Sequence, residues 1–239
     1  MGDYAGYYNT TGSGNIGIGY RATFANTAGD YNVAMGHQAL YNNTASFNTA
    51  VGKQALYNNT SGIRNTAIGE NAGLSNTTGG HNVFLGSDAG RGRTTGGVNV
   101  AIGPLSLYAT GGTSSSNIAI GYYCGFRNTT GGQNVAIGVS TMQDNTTGQD
   151  NLVLGHAAGG TGVGSHGNSN VALGYAAKTG NFNSSVILGR AATATANNQF
   201  VVGSSSHNAG AVTTETITAD KTWTVKINGV DYKIPIVAA

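Results

Sequence analysis

Hydrophobic and polar positions alternate along this chain in a fixed phrase: Asn, apolar, small, apolar, Gly. It first reads Asn15-Ile16-Gly17-Ile18-Gly19, then Asn32-Val33-Ala34-Met35-Gly36, and continues to Asn170-Val171-Ala172-Leu173-Gly174. Two degenerate copies follow, Ser185-Val186-Ile187-Leu188-Gly189 and Gln199-Phe200-Val201-Val202-Gly203. The twelve copies begin 17, 16, 17, 17, 17, 18, 17, 17, 19, 15 and 14 residues apart. Self-similarity at so steady a period predicts a solenoid, in which each repeat is one coil that buries its apolar residues by stacking on its neighbours.

With the Asn as position zero, position four is Gly in all twelve copies, which marks a corner with positive φ or a close backbone approach. Position three is always apolar, and position one is apolar except for Thr49 and Thr66. Alternate residues of a strand share a face, so positions one and three are expected to line the inside of the coil. Position two is Ala in seven copies, with Gly17, Phe84, Val153, Ile187 and Val201 as exceptions. A strand that is apolar on both faces is buried on both. A second copy of the chain, packed through position two, is the expected cover.

Position seven is small throughout and includes the single cysteine, Cys124, which predicts a buried, inert thiol. Position eleven is Asn in six of the first nine copies and opens turns such as Asn76-Thr77-Thr78-Gly79 and Asn128-Thr129-Thr130-Gly131. An incomplete leading copy, Asp3 to Gly14, carries the same turn. Each repeat thus reads as two short strands and two corners. Twelve coils spaced by about 4.8 Å make a rod of about 55–60 Å, along which Asn residues stack into amide ladders.

The pattern divides the chain into a repeat rod (1–203), a polar connector (204–212) and a C-terminal tip (213–239). In the tip, Asn228-Gly229 is a two-residue hairpin signal. Folding there pairs Ile227 with Val230, Val225 with Tyr232 and Trp223 with Ile234 on one face, and Lys226 with Asp231 and Thr224 with Lys233 on the other. The fold class expected is all-β: a left-handed parallel β-roll of about 12 coils, homotrimeric, with a C-terminal β-hairpin.

Composition fits an ordered chain with a thin core. Glycine contributes 40 of 239 residues, well above its usual share of roughly 7%. Only 8% of residues are charged and the net charge is +2. Arg91 and Arg93 are the one local basic cluster, too little for a nucleic-acid stripe, so no nucleic-acid partner is expected. A lone cysteine excludes an intrachain disulfide. No signal peptide opens the chain and no apolar run approaches a transmembrane helix, so no membrane insertion is expected.

Gly12-Ser13-Gly14-Asn15-Ile16-Gly17 matches a dinucleotide fingerprint by letters, without the strand-then-helix context that gives it meaning. Asp88, Asp144, Asp150 and Glu70 occupy different repeat positions, and His37, His81, His156, His166 and His207 do not fall at ligand spacing. No enzyme activity, metal or cofactor is expected. Lys53 and Glu70 are adjacent in the position-five column and placed to pair, an exposed bridge worth little. Position nine is the most suggestive column. It reads Tyr7, Phe24, Tyr41 and Tyr57, then Leu74 and Arg91, then Tyr108 and Phe126. Phe24, Tyr41, Tyr57, Tyr108 and Phe126 are candidate receptor-binding residues that could stack on sugar rings. The competing expectation is that they cover a roll edge or a subunit seam.

The stretch Asn168-Ser169-Asn170-Val171-Ala172-Leu173-Gly174-Tyr175-Ala176-Ala177-Lys178-Thr179-Gly180, followed by residues 185–194, resembles the head repeats of trimeric autotransporter adhesins. Longer copies such as residues 48–60 resemble the related repeats of bacteriophage tail fibres, as does the end of the chain, residues 196–203 with 216–236. The resemblance spans roughly residues 3–236. It implies a trimeric β-roll and an adhesive protein of a virion tail fibre. The partners implied are a host cell-surface receptor (a glycan or an outer-membrane protein) and other virion tail proteins. The alternatives are a head fragment of a bacterial trimeric autotransporter adhesin at the cell surface, and an ice-binding β-solenoid suggested by the Asn-Thr-Thr turns. The lack of a secretion leader, coiled-coil stalk and membrane strands favours the virion.

Overall fold

A computed structural model describes residues 2–160, 167–204, 221–227 and 230–236. The described residues are all-β and contain no helix. The chain divides into two compact units, 1–209 and 210–239. In the first, twelve three-residue strands run from β1 (Ile16–Ile18) and β2 (Val33–Met35) to β12 (Phe200–Val202) and stack in sequence order as one parallel sheet. Like residue lies on like residue: Ile16 on Val33, Gly17 on Ala34, Ile18 on Met35. Spacings from 14 to 19 residues leave this register untouched, because the extra or missing residues fall in the turns.

The asparagine column is the register device. The Asn32 N–H donates to Oδ1 of Asn15, and that of Asn48 to Oδ1 of Asn32, both at 2.9 Å. The same bond recurs up to the Ser185 N–H on Oδ1 of Asn170. Each amide nitrogen also donates to a turn carbonyl of the next coil, as Asn65 does to Gly79 at 2.8 Å. Buried amides with both ends satisfied cost little, whereas one slipped coil would orphan several. The expected amide ladder is therefore present. The Gly corner is explained by close approach: at Gly52 φ is +133°, and a Cβ would lie 2.4 Å from the Gly69 carbonyl oxygen.

Two expectations are corrected. The first is the two strands per repeat: each coil has one strand, and the rest is turn. At positions six and eight the backbone is left-handed even for ordinary residues, with φ of 58° at Gln38 and 50° at Leu40. These flips point alternate peptides to opposite sides. Leu40 N–H donates to the Ala55 carbonyl of the next coil, and Gln38 N–H to the Tyr20 carbonyl of the previous one. The turns are thereby knitted coil to coil as the strands are, and the small residue between the flips, Ala39, is fully buried.

The second correction concerns the faces of the strand. Position two, not positions one and three, points into the coil. The middle residue is buried in ten of the twelve strands, and the outer two are half-buried or exposed in all twelve. The reason is space. The lumen is filled by Ala34, Ala50, Ala67 and Ala101 from position two, Ala39, Ala55, Ala72 and Ala89 from position seven, and Leu40, Leu56 and Leu107 from position eight. There is no room for a column of isoleucines on top of these. Where position two is large, position eight gives way. Phe84 is fully buried between Gly73 and Gly90, and a Cβ at Gly90 would lie 2.3 Å from its ring. The Leu and Ile side chains of positions one and three form an outward apolar sheet face.

In the second unit, β13 (Lys221–Ile227) and β14 (Val230–Ile236) pair antiparallel with Trp223 opposite Ile234, Val225 opposite Tyr232 and Lys226 opposite Asp231, the register expected from Asn228-Gly229. His166, His207 and the turn residues Asn228 and Gly229 lie outside the described residues.

Candidate functional site

The position-nine side chains form a column on the turn side of the coils, and it is broken in two. Phe24 stacks on Tyr41 at 5.0 Å and Tyr41 on Tyr57 at 4.9 Å, with ring planes within 11° of parallel. Tyr7 extends this array from Phe24 at 5.8 Å. Tyr108 and Phe126 stack separately at 4.9 Å. Leu74 and Arg91 occupy the two coils between. Arg91 closes the gap from one side, its guanidinium 5.9 Å from the Tyr108 ring and 3.2 Å from Asp88. The five candidates are all half-buried. Three of them are brought together and the other two make a second site.

The spacing has a chemical consequence. The rings repeat at the coil spacing, so each interior ring has both faces against its neighbours. Such stacks contribute about 0.5–1.5 kcal/mol per pair beyond area burial. A sugar stacking on an aromatic needs a free ring face, and the ladder leaves those at its ends, at Tyr7 and Tyr57, and at Tyr108 and Phe126. Elsewhere the column presents ring edges.

The basic pair Arg91–Arg93 separates. Arg93 is fully buried and occupies the position-eleven Asn column. The following coil is the 18-residue one, with Thr110 at position eleven. Arg93 spans that gap. One terminal nitrogen donates to the carbonyl and hydroxyl of Ser114, the other to the Asn128 carbonyl two coils away at 3.2 Å. Burial pulls its pKa down to about 10, which leaves it charged at neutral pH. The substitution has a cost: Asn59 donates to Oδ1 of Asn43 and Asn76 to Oδ1 of Asn59, but Oδ1 of Asn76 has no amide above it and no partner. Residue type alone pointed to a surface charge; the repeat position of Arg93 and the missing Asn of the next coil carry the signal for its burial.

The remaining chemistry is structural. The Cys124 thiol is buried and donates to the Ala136 carbonyl at 3.2 Å; burial pushes its pKa up to about 12, which keeps it from reacting as a thiolate. Lys53 and Glu70 pair at 3.0 Å on the exposed surface. Thr60, Thr77 and Thr129 each donate their hydroxyl to a threonine carbonyl of the next coil, so these hydrogens are committed to the coil stack. Among the described residues no cluster of three His, Cys, Asp or Glu side chains is placed to hold a metal ion. No family model matches the chain, and neither a curated protein nor a solved structure matches it.

Proposed function

We propose that this chain is a non-enzymatic, homotrimeric fibre or tip protein of a bacteriophage virion that binds a receptor on the host surface, a glycan or an outer-membrane protein. The observation that carries the reading is the outward apolar face of the solenoid sheet. Ile18, Met35, Ile68, Leu85 and Ile137 are each 40–45% exposed along it. Three residues at about 3.3 Å by twelve strands at about 4.8 Å give roughly 500 Å² of apolar plane from the strands alone. Tyr31, Phe47 and Val98 border the strands on one side and Tyr122, Val139 and Tyr175 on the other, all exposed. A typical monomer's largest apolar patch is about 300–600 Å² in total. Three copies joined through this face cover it, and the resemblance to trimeric head repeats supports three rather than two.

Such an assembly leaves the turns and aromatic arrays outward in triplicate, and threefold display multiplies weak receptor contacts. Receptor contact is assigned to exposed turn residues, the free ring faces at Tyr57 and Tyr108, or the C-terminal tip. Binding of the purified protein to host cells tests the reading: saturable binding supports it, and none across a panel of candidate hosts overturns it. Residues 168–194 favour the bacterial adhesin head as the second reading. Neighbouring genes separate the two, tail genes for the first and a secretion barrel for the second.

A further inference from the structure

We infer that the outer edge of β1 is a docking site for a foreign polypeptide strand of the type Asn-apolar-small-apolar-Gly. β1 is the terminal strand of the sheet and pairs only with β2. The leading turns, residues 2–14, hydrogen-bond to the next coil, as Gly6 N–H does to the Ala22 carbonyl and Tyr8 N–H to the Phe24 carbonyl. They supply no strand beside β1. Among the described residues, the Asn15 backbone N–H and carbonyl take no hydrogen-bond partner.

The chemistry this edge accepts is displayed by the solenoid itself. One coil further on, Asn32 N–H is received by Oδ1 of Asn15 and Asn32 carbonyl receives Ile16 N–H at 2.8 Å. An incoming strand would repeat both bonds on Asn15: its Asn Oδ1 accepts the Asn15 N–H, and its next N–H donates to the Asn15 carbonyl. Its middle residue would enter a cavity of about 170 Å³ lined by Ala5, Gly6, Asn9, Asn15, Gly17, Thr23 and Asn26. In later coils that space is filled, by Leu40 and Leu56 for example. Gly6 and Gly17 leave it open here.

Exposed rings frame both ends of the edge. Tyr31 lies against Gly14, where a Cβ would meet its ring at 2.6 Å. Past Gly19, Tyr20 and Tyr4 share the Arg21 guanidinium at 5.1 and 5.8 Å, and the buried Nε of Arg21 has no partner. Tyrosine and arginine around an open backbone edge fit a protein partner, with main-chain bonds giving affinity and the middle residue giving selectivity. That the strand belongs to a particle protein rests on the fibre reading; the edge does not.

The test is fluorescence anisotropy of the full chain with a labelled peptide of residues 97–103, Gly-Val-Asn-Val-Ala-Ile-Gly. Saturable binding is expected. A peptide with Ala101→Arg, too large for the cavity, and one with Asn99→Ala, lacking the side-chain acceptor, should each bind at least tenfold more weakly. Gly17→Phe in the protein, which fills the cavity from below, should weaken the parent peptide as much. Equal binding of all peptides, or no saturation by 1 mM, overturns the inference. End-to-end polymers of the protein alone, dissolved by the peptide, would give the edge to a second copy and also overturn the foreign strand. Cell binding is unaffected by any of these outcomes, so failure here is distinct from failure of the receptor reading.

Discussion

The two faces of the solenoid sheet are both apolar, yet they are built differently. The inner face is a column of alanines interrupted only where a neighbour shrinks, as Gly73 and Gly90 do for Phe84. The outer face is a column of Ile, Leu, Val and Met that varies freely in shape and stays partly exposed in the single chain. Compensating volumes belong to a closed, densely packed space. Uncompensated large side chains belong to a surface that meets its partner from outside. Hydrophobicity does not separate the faces of this strand, and size does.

The largest expected effect is on the inner face. Phe84→Ala should destabilise the chain by about 3–5 kcal/mol, read as a fall in the thermal midpoint, because the coil cannot collapse around the space left. Adding Gly90→Leu should return about 1–2 kcal/mol of that loss, since Leu fills the same column at positions 40, 56 and 107 with the same left-handed backbone. No rescue would break the claim that positions two and eight share one volume. Arg93→Ala should cost about 1–3 kcal/mol by leaving the Ser114 and Asn128 carbonyls unpaired in the interior.

The outer face should respond in the opposite way. Ile68→Asp, Ile102→Asp and Ile137→Asp combined should abolish assembly while circular dichroism still reports β structure, because these side chains lie outside the coil's own core. Unfolding of the variant before dissociation would put the face inside. The smallest effect is at the exposed Lys53–Glu70 pair, where Lys53→Ala should change stability by at most about 0.5 kcal/mol.

Much of the fold is legible in the sequence because stacking like on like prints a period. The Asn ladder, the Gly corner, the buried Cys124 and the pairing about Asn228-Gly229 all follow from columns. The orientation of the strand does not follow from alternation, since positions one, two and three are all apolar; the covarying sizes at positions two and eight carry it. The left-handed turns are hidden for another reason: Gln38, Leu40 and Asp88 are not residues that announce positive φ. At the candidate site, the aromatic column is plain in the sequence, as are the interruptions at Leu74 and Arg91. What the letters do not show is that the coil spacing sets the rings face to face and so uses the faces a sugar would need.

Light scattering of the purified chain tests the central claim, that the outward sheet face is closed by copies of the same chain. Three protomers of 24.0 kDa predict a mass of about 72 kDa. A stable, folded species of 24.0 kDa would contradict it.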